Sequence, residues 1–204
     1  MITPEYVVDK ATKLETLYNR LHEIRMRFEV LHRDAEIDYL ADLNKGGDPE
    51  LLVQKRDRQQ AQLQHDFAFI ARLNLGSEAR VSDDDIERMN RIGDQTWWRH
   101  FSDRIGISFD EAERFTREPE PPLPCLELLL ANKREHREPW GRNQPPVEPN
   151  HPNNRWGFDM LLPEYSANQG ERYNLSIRRG TLNDEERFKI NNHIVETYRM
   201  LTTL

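Results

Sequence analysis

Apolar positions near the start of the chain keep a regular step. Leu14, Leu17, Leu21, Ile24, Phe28, Leu31 and Ala35 are spaced by three and four in alternation, the heptad seam of a helix that packs on another helix. The pattern predicts one long helix over 12–43. Its other faces carry Glu23, Arg25, Arg27, Glu29, Arg33, Asp34 and Glu36, so the seam is the part that needs cover. Asn44-Lys45-Gly46-Gly47 ends the helix, and Asp48-Pro49 starts the next as N-cap and first helical residue. The second helix is polar from Gln54 to Gln62, then apolar at Leu63, Phe67, Ile70 and Leu73. A short loop between two long helices predicts an antiparallel hairpin over 12–74 with a polar tip and an apolar base.

Ser82-Asp83-Asp84-Asp85 predicts a helix to Ile92, continuing unevenly through Thr96-Trp97-Trp98-Arg99-His100-Phe101. Trp97, Trp98 and Phe101 read as an anchor against the hairpin base or, alternatively, as an exposed interaction patch. Ser108-Phe109-Asp110-Glu111 is a capping box for a short helix to Thr116. Ten of the twelve prolines lie between Pro119 and Pro163, which forbids continuous helix there. Leu126 to Ala131 is the one ordered piece expected in that arm, as a helical turn or a short strand. Trp140, Trp156 and Phe158 are expected to pin the arm onto the helices.

The last predicted helix starts at Asn183, with Glu186 completing a capping box and Asp184 and Glu185 on the first turn. Ile190, Ile194, Thr197 and Leu201 share one face, expected to be the buried one. His193 lies near it. An inward imidazole is a satisfied core histidine or a metal ligand, and spacing alone favours the first, because metal sites need several ligands.

Composition narrows the function classes. A net charge of −7 and a pI of about 5.6 argue against a nucleic-acid groove as the main function. A hydrophobic fraction of 36% beside 32% charged residues suits long, solvent-washed helices. The single cysteine, Cys125, excludes an internal disulfide. No apolar run approaches the roughly 20 residues of a membrane-spanning helix, and the cytoplasm is the expected compartment. His65-Asp66 reads as a chance pair on a helix surface.

Arg179-Gly180-Thr181-Leu182-Asn183-Asp184-Glu185-Glu186-Arg187, followed by Ile190-Asn191 and His193, resembles the third conserved block of the HD-GYP phosphohydrolases. These are bacterial metal-dependent phosphodiesterases, many of which hydrolyse cyclic di-GMP. Their block runs roughly G-x-L-[ST]-x-E-E into a helix with one metal-binding histidine. Asn183 stands where the family has Ser or Thr, and it caps equally well. Residues 3–15 resemble the segment after the family's HD-x-G-K block. Residues 17–37 and 156–177 resemble the long insertion of its sensor-linked members.

The resemblance implies that His193 is a metal ligand, and that the full-length family uses a divalent metal, iron or manganese. The HD pair and the HHE-x-x-x-G-x-GYP block would fall before residue 1 and after residue 204. The expected organisation is a lead-in over 1–11, a helical insertion over 12–116, a Pro-rich irregular arm over 117–177 and an HD-GYP-like helix over 178–204. The expected fold is all-α: a long antiparallel hairpin, shorter helices, the irregular arm and the C-terminal helix. The chain then reads as the interior of a phosphodiesterase, binding no metal and inactive by itself, without catalytic residues of its own. Its expected partners are the flanking segments, a sensor domain or a second copy joined through the hairpin seam, with no nucleic acid and no membrane. One alternative is a stand-alone helical coiled-coil interaction and dimerisation module. Another is hydrolysis at a metal site assembled in an oligomer.

Overall fold

A computed structural model describes residues 20–76, 80–116, 118–141 and 144–202. The lead-in, its resemblance to the segment after the HD block, and the seam positions Leu14 and Leu17 lie outside them.

The described chain is mostly helical, in keeping with the all-α expectation. Helix α1 (Arg20–Asn44) and helix α2 (Pro49–Leu73) form the hairpin. The turn is built as its residues demand: Gly46 takes φ +88°, a conformation that side chains resist. The Asp48 carboxylate then accepts from the amides of Glu50 and Leu51 at 2.9 and 3.3 Å. Ile24 and Phe28 of the seam are buried against Leu63 and Ile70, and Phe28 meets Phe67 edge-on at 5.5 Å. Each such side chain contributes about 1.5–3 kcal/mol of burial. Of the described seam positions, Ile24, Phe28 and Ala35 are thus buried within one chain.

Helix α3 (Asp83–Gly93) opens with the Ser82 capping box and adds Met89 and Ile92 to the same core. Asp66 is buried by this docking, its Oδ1 accepting from Gln62 at 2.9 Å and lying 3.5 Å from Arg88. The reading of His65-Asp66 as a surface pair therefore holds for His65 alone.

The expected continuation of helix through Thr96–Phe101 is wrong. Strand β1 (Thr96–Arg99) pairs antiparallel with strand β2 (Cys125–Leu128), Trp97 opposite Glu127 and Trp98 opposite Leu126. Thr and Trp fit a pleated strand better than a helix, and the partner strand lies too far along the chain for local periodicity to show it. Alternation sends Trp97 and Arg99 inward and Trp98 outward. The Trp98 and Phe101 side chains do not anchor the hairpin; Phe101 is 85% exposed.

Helix α4 (Phe109–Phe115) starts at Ser108, whose hydroxyl accepts the Glu111 amide at 3.3 Å. The arm then carries β3 (Arg137–Glu138), paired with β4 (Ala167–Asn168), and a short helix, α5 (Glu171–Leu175). The strand β4 and helix α5 lie within the arm over 117–177, where the sequence predicts order only at Leu126 to Ala131. Helix α6 (Asp184–Leu201) closes the described chain. The aromatic residues pin the arm to α6 as the sequence predicts: Trp140 packs edge-on to Phe188 at 5.6 Å and Phe158 to Tyr198 at 6.0 Å. The Trp156 indole donates to the Thr202 hydroxyl at 3.0 Å. Val147, Phe188 and Val195 form this second, smaller core.

Helix α6 buries the opposite stripe from the one its spacing suggests. Glu185, Phe188 and Val195 are buried, whereas Ile190, Ile194 and Leu201 are 52, 71 and 70% exposed. Two apolar stripes lie about 200° apart on this helix at 100° per residue, and the aromatic arm covers the one containing Phe188. Among the described residues no helix is long and apolar enough to cross a membrane.

Candidate functional site

The start of α6 is held by a network that a cap alone would not build. The Asn183 side-chain oxygen accepts the Glu186 amide at 2.9 Å, and the Glu186 carboxylate accepts the Asn183 amide at 3.0 Å. The Asn183 side-chain NH2 donates to Asn174 Oδ1 at 2.8 Å and to the Asn168 carbonyl at 3.2 Å. Asn174 in turn donates to the carbonyls of Asn168 and Gly170 at 3.0 and 2.8 Å. A Ser or Thr hydroxyl has one proton to give and could not make both of Asn183's amide bonds. The choice of Asn at 183 thus ties α6 to α5 and β4.

Glu185 is buried on the first turn of α6, where the helix dipole favours negative charge. The Tyr173 hydroxyl donates to it at 2.8 Å. Burial, together with the adjacent Glu185 carboxylate, pushes the Tyr173 phenol up to about 12. The phenol therefore stays protonated and keeps donating.

A second buried charge locks this region to the hairpin. Glu171 accepts from Arg27 at 3.0 and 2.8 Å and from the Ala131 amide at 2.6 Å. Arg27 also donates to the Leu129 carbonyl at 3.0 Å. The sequence places Arg27 among solvent-facing charges and assigns Glu171 no role. The missing signal is the partner, which only the tertiary fold supplies.

His193 sits on the exposed side of α6, beside Ile190, Ile194 and Thr197. The core-histidine reading is excluded by that exposure. The Thr197 hydroxyl donates to the His193 carbonyl at 2.8 Å. Glu186, the carboxylate on His193's side of the helix, is engaged in the cap. Among the described residues no three His, Cys, Asp or Glu side chains gather where they could hold a metal ion. One neutral imidazole does not retain a hard divalent ion in water, and the described donors by themselves do not fit a metal centre.

A family model described as an HD domain matches residues 124–204. The match spans most of the arm, the network around Asn183 and the whole of α6, and supports an HD-type phosphohydrolase domain in this part of the chain. No curated protein and no solved structure matched the chain.

Proposed function

We propose that this chain contributes the inner part of an HD-GYP-type phosphodiesterase of cyclic dinucleotides, with cyclic di-GMP as substrate, in the cytoplasm. In this reading His193 supplies one ligand to an iron or manganese centre. The remaining ligands come from the segments that flank residues 1–204, and the isolated chain is inactive.

The observation that carries the reading is the outer face of α6. His193 stands there beside an apolar stripe of Ile190, Ile194 and Leu201 that nothing in the described chain covers. A rigidly capped helix that presents an imidazole and bare apolar side chains on one face is built to be covered by more protein. The HD domain match over 124–204 agrees with it, as does the motif Gly180 to His193. In an assembled domain this chain's part would be to hold His193 in place as one ligand of a metal centre, which would supply the hydrolytic chemistry.

The test is to sequence the DNA on both sides of the coding segment and express the chain with its flanks. Metal content and hydrolysis of cyclic di-GMP are then measured with and without His193→Ala. The reading expects an HD-x-G-K run upstream, an HHE…GYP run downstream, and loss of both metal and activity in the variant at unchanged helicity. Flanks carrying neither block, or a variant that keeps its full metal content, would overturn it.

A further inference from the structure

A cleft of about 430 Å³ lies away from α6, between α1, β1, α4 and the turn at Arg134–His136. Its size is within the usual range for a small-molecule site. The two-stranded sheet that forms one wall is turned the unexpected way. Trp98, Leu126 and Leu128 face solvent, while Arg99 and Glu127 face the cleft beside Trp97. Burial of apolar area would favour the reverse. Desolvating a guanidinium is among the more expensive things a fold can do, and Arg99 is only 5% exposed.

Four polar groups that line this cleft lack a hydrogen-bond partner among the described residues, three of them nitrogens and the fourth Asp103 Oδ1, which lies 3.5 Å from Arg99 Nη1. Arg99 uses Nε on Glu127 at 2.8 Å and Nη1 on the Phe101 carbonyl at 2.6 Å, and its Nη2 is left over. The Trp97 indole nitrogen and His136 Nδ1 are buried and also without a partner. Two of the three nitrogens, Nη2 and the indole N–H, can only donate. They call for an acceptor oxygen. Met26, Val30, Ile107 and Phe115 line the same space and call for an apolar body.

The charge balance selects among acceptors. Acidic and basic side chains line the cleft in equal number, five of each. Glu127 is spent on Arg99 and Lys133 and one Asp103 oxygen on Lys133, while Asp103 Oδ1 faces Arg99 Nη1 at 3.5 Å. At its inner end His136 feels Arg20, Lys133, Arg27 and Arg114, which add to burial in pushing its imidazole down to about 3. Such a site takes one negative charge more readily than the two of a phosphate monoester.

We infer that this cleft is a binding site for a small organic carboxylate with an apolar body, its oxygens accepting from Arg99 Nη2 and the Trp97 indole N–H. The site is independent of the role proposed for His193. It would give the helical insertion a ligand-sensing function.

The test uses the full 204-residue chain, with sodium benzoate and sodium hexanoate as aromatic and aliphatic probes and inorganic phosphate as the control. Indole N–H resonances of the four tryptophans are followed by ¹⁵N NMR, and Trp97→Phe assigns the relevant signal by deleting it. The expected result is a saturable shift of the Trp97 signal with one of the carboxylates. Calorimetry should show affinity falling about tenfold in Trp97→Phe, which keeps a ring beneath Arg27 and loses only the donor's hydrogen bond. Arg99→Met should remove binding. The inference fails if neither carboxylate moves the Trp97 signal up to about 10 mM, if Trp97→Phe binds as the parent does, or if phosphate binds more tightly than both carboxylates.

Discussion

Arg27 and Glu171 lie 144 residues apart in the chain and meet through two hydrogen bonds of 3.0 and 2.8 Å. The pair clamps the hairpin to the segment that carries α5 and α6. Both side chains are largely withdrawn from water, at 15 and 3% exposure, so each depends on the other. Glu171→Ala should cost about 3–5 kcal/mol, because it leaves a largely buried guanidinium with only the Leu129 carbonyl and the exposed Glu23. Pairing it with Arg27→Met should restore part of that loss. Urea unfolding of the two single variants and the double variant measures the coupling; additive costs would show that the pair does not act as a unit.

Asn183 does more than cap. Asn183→Ser keeps the oxygen that accepts the Glu186 amide and gives up the bonds to Asn174 and Asn168, a loss of about 1–2 kcal/mol. Asn183→Ala gives up the cap as well and should lose about 1 kcal/mol more. Thermal or urea unfolding orders the three proteins, and a serine variant as stable as the parent would remove the tie to α5.

The two apolar stripes of α6 can be told apart by truncation. Phe188→Ala should destabilise by about 3–5 kcal/mol, since it empties the space against Trp140. Ile194→Ala and His193→Ala should each stay within about 0.5 kcal/mol of the parent. Equal losses at Phe188 and Ile194 would mean that the exposed stripe is covered in solution.

His136 sets an acid limb. Its imidazole falls from an ordinary 6.5 to about 3 in the folded chain, through burial and then the neighbouring cations. The unfolded chain binds the proton first, so stability is full above pH 6.5 and declines as pH falls toward 3. His136→Gln cannot take that proton and should flatten the decline. Denaturant midpoints across this range read the difference.

Tyr173 sets the alkaline limb. Its phenol rises from 10.0 to about 12, so the stability it brings is complete below pH 10 and is lost as pH climbs through about 12. Tyr173→Phe should lose the Glu185 bond at neutral pH yet show a flatter profile above pH 10. A profile as steep as the parent's would assign the alkaline limb to other groups.

The sequence alone determined the elements whose causes are local. The Gly46 turn, the Asp48 and Ser82 caps and the Asn183–Glu186 capping box follow from residues within four positions of each other, and each is where its signal put it. The run at 179–193 that resembles an HD-GYP block is legible for the same reason, being continuous. Tertiary structure alone decided the rest. Trp97 and Trp98 became a strand because Cys125–Leu128 came alongside, and α6 buried Phe188 rather than Ile190 because Trp140 packed on that side. Arg27, Arg99 and Glu171 acquired their roles from partners distant in sequence. A charge or an apolar stripe in a sequence states a need for a neighbour, and only the folded chain determines which neighbour meets it.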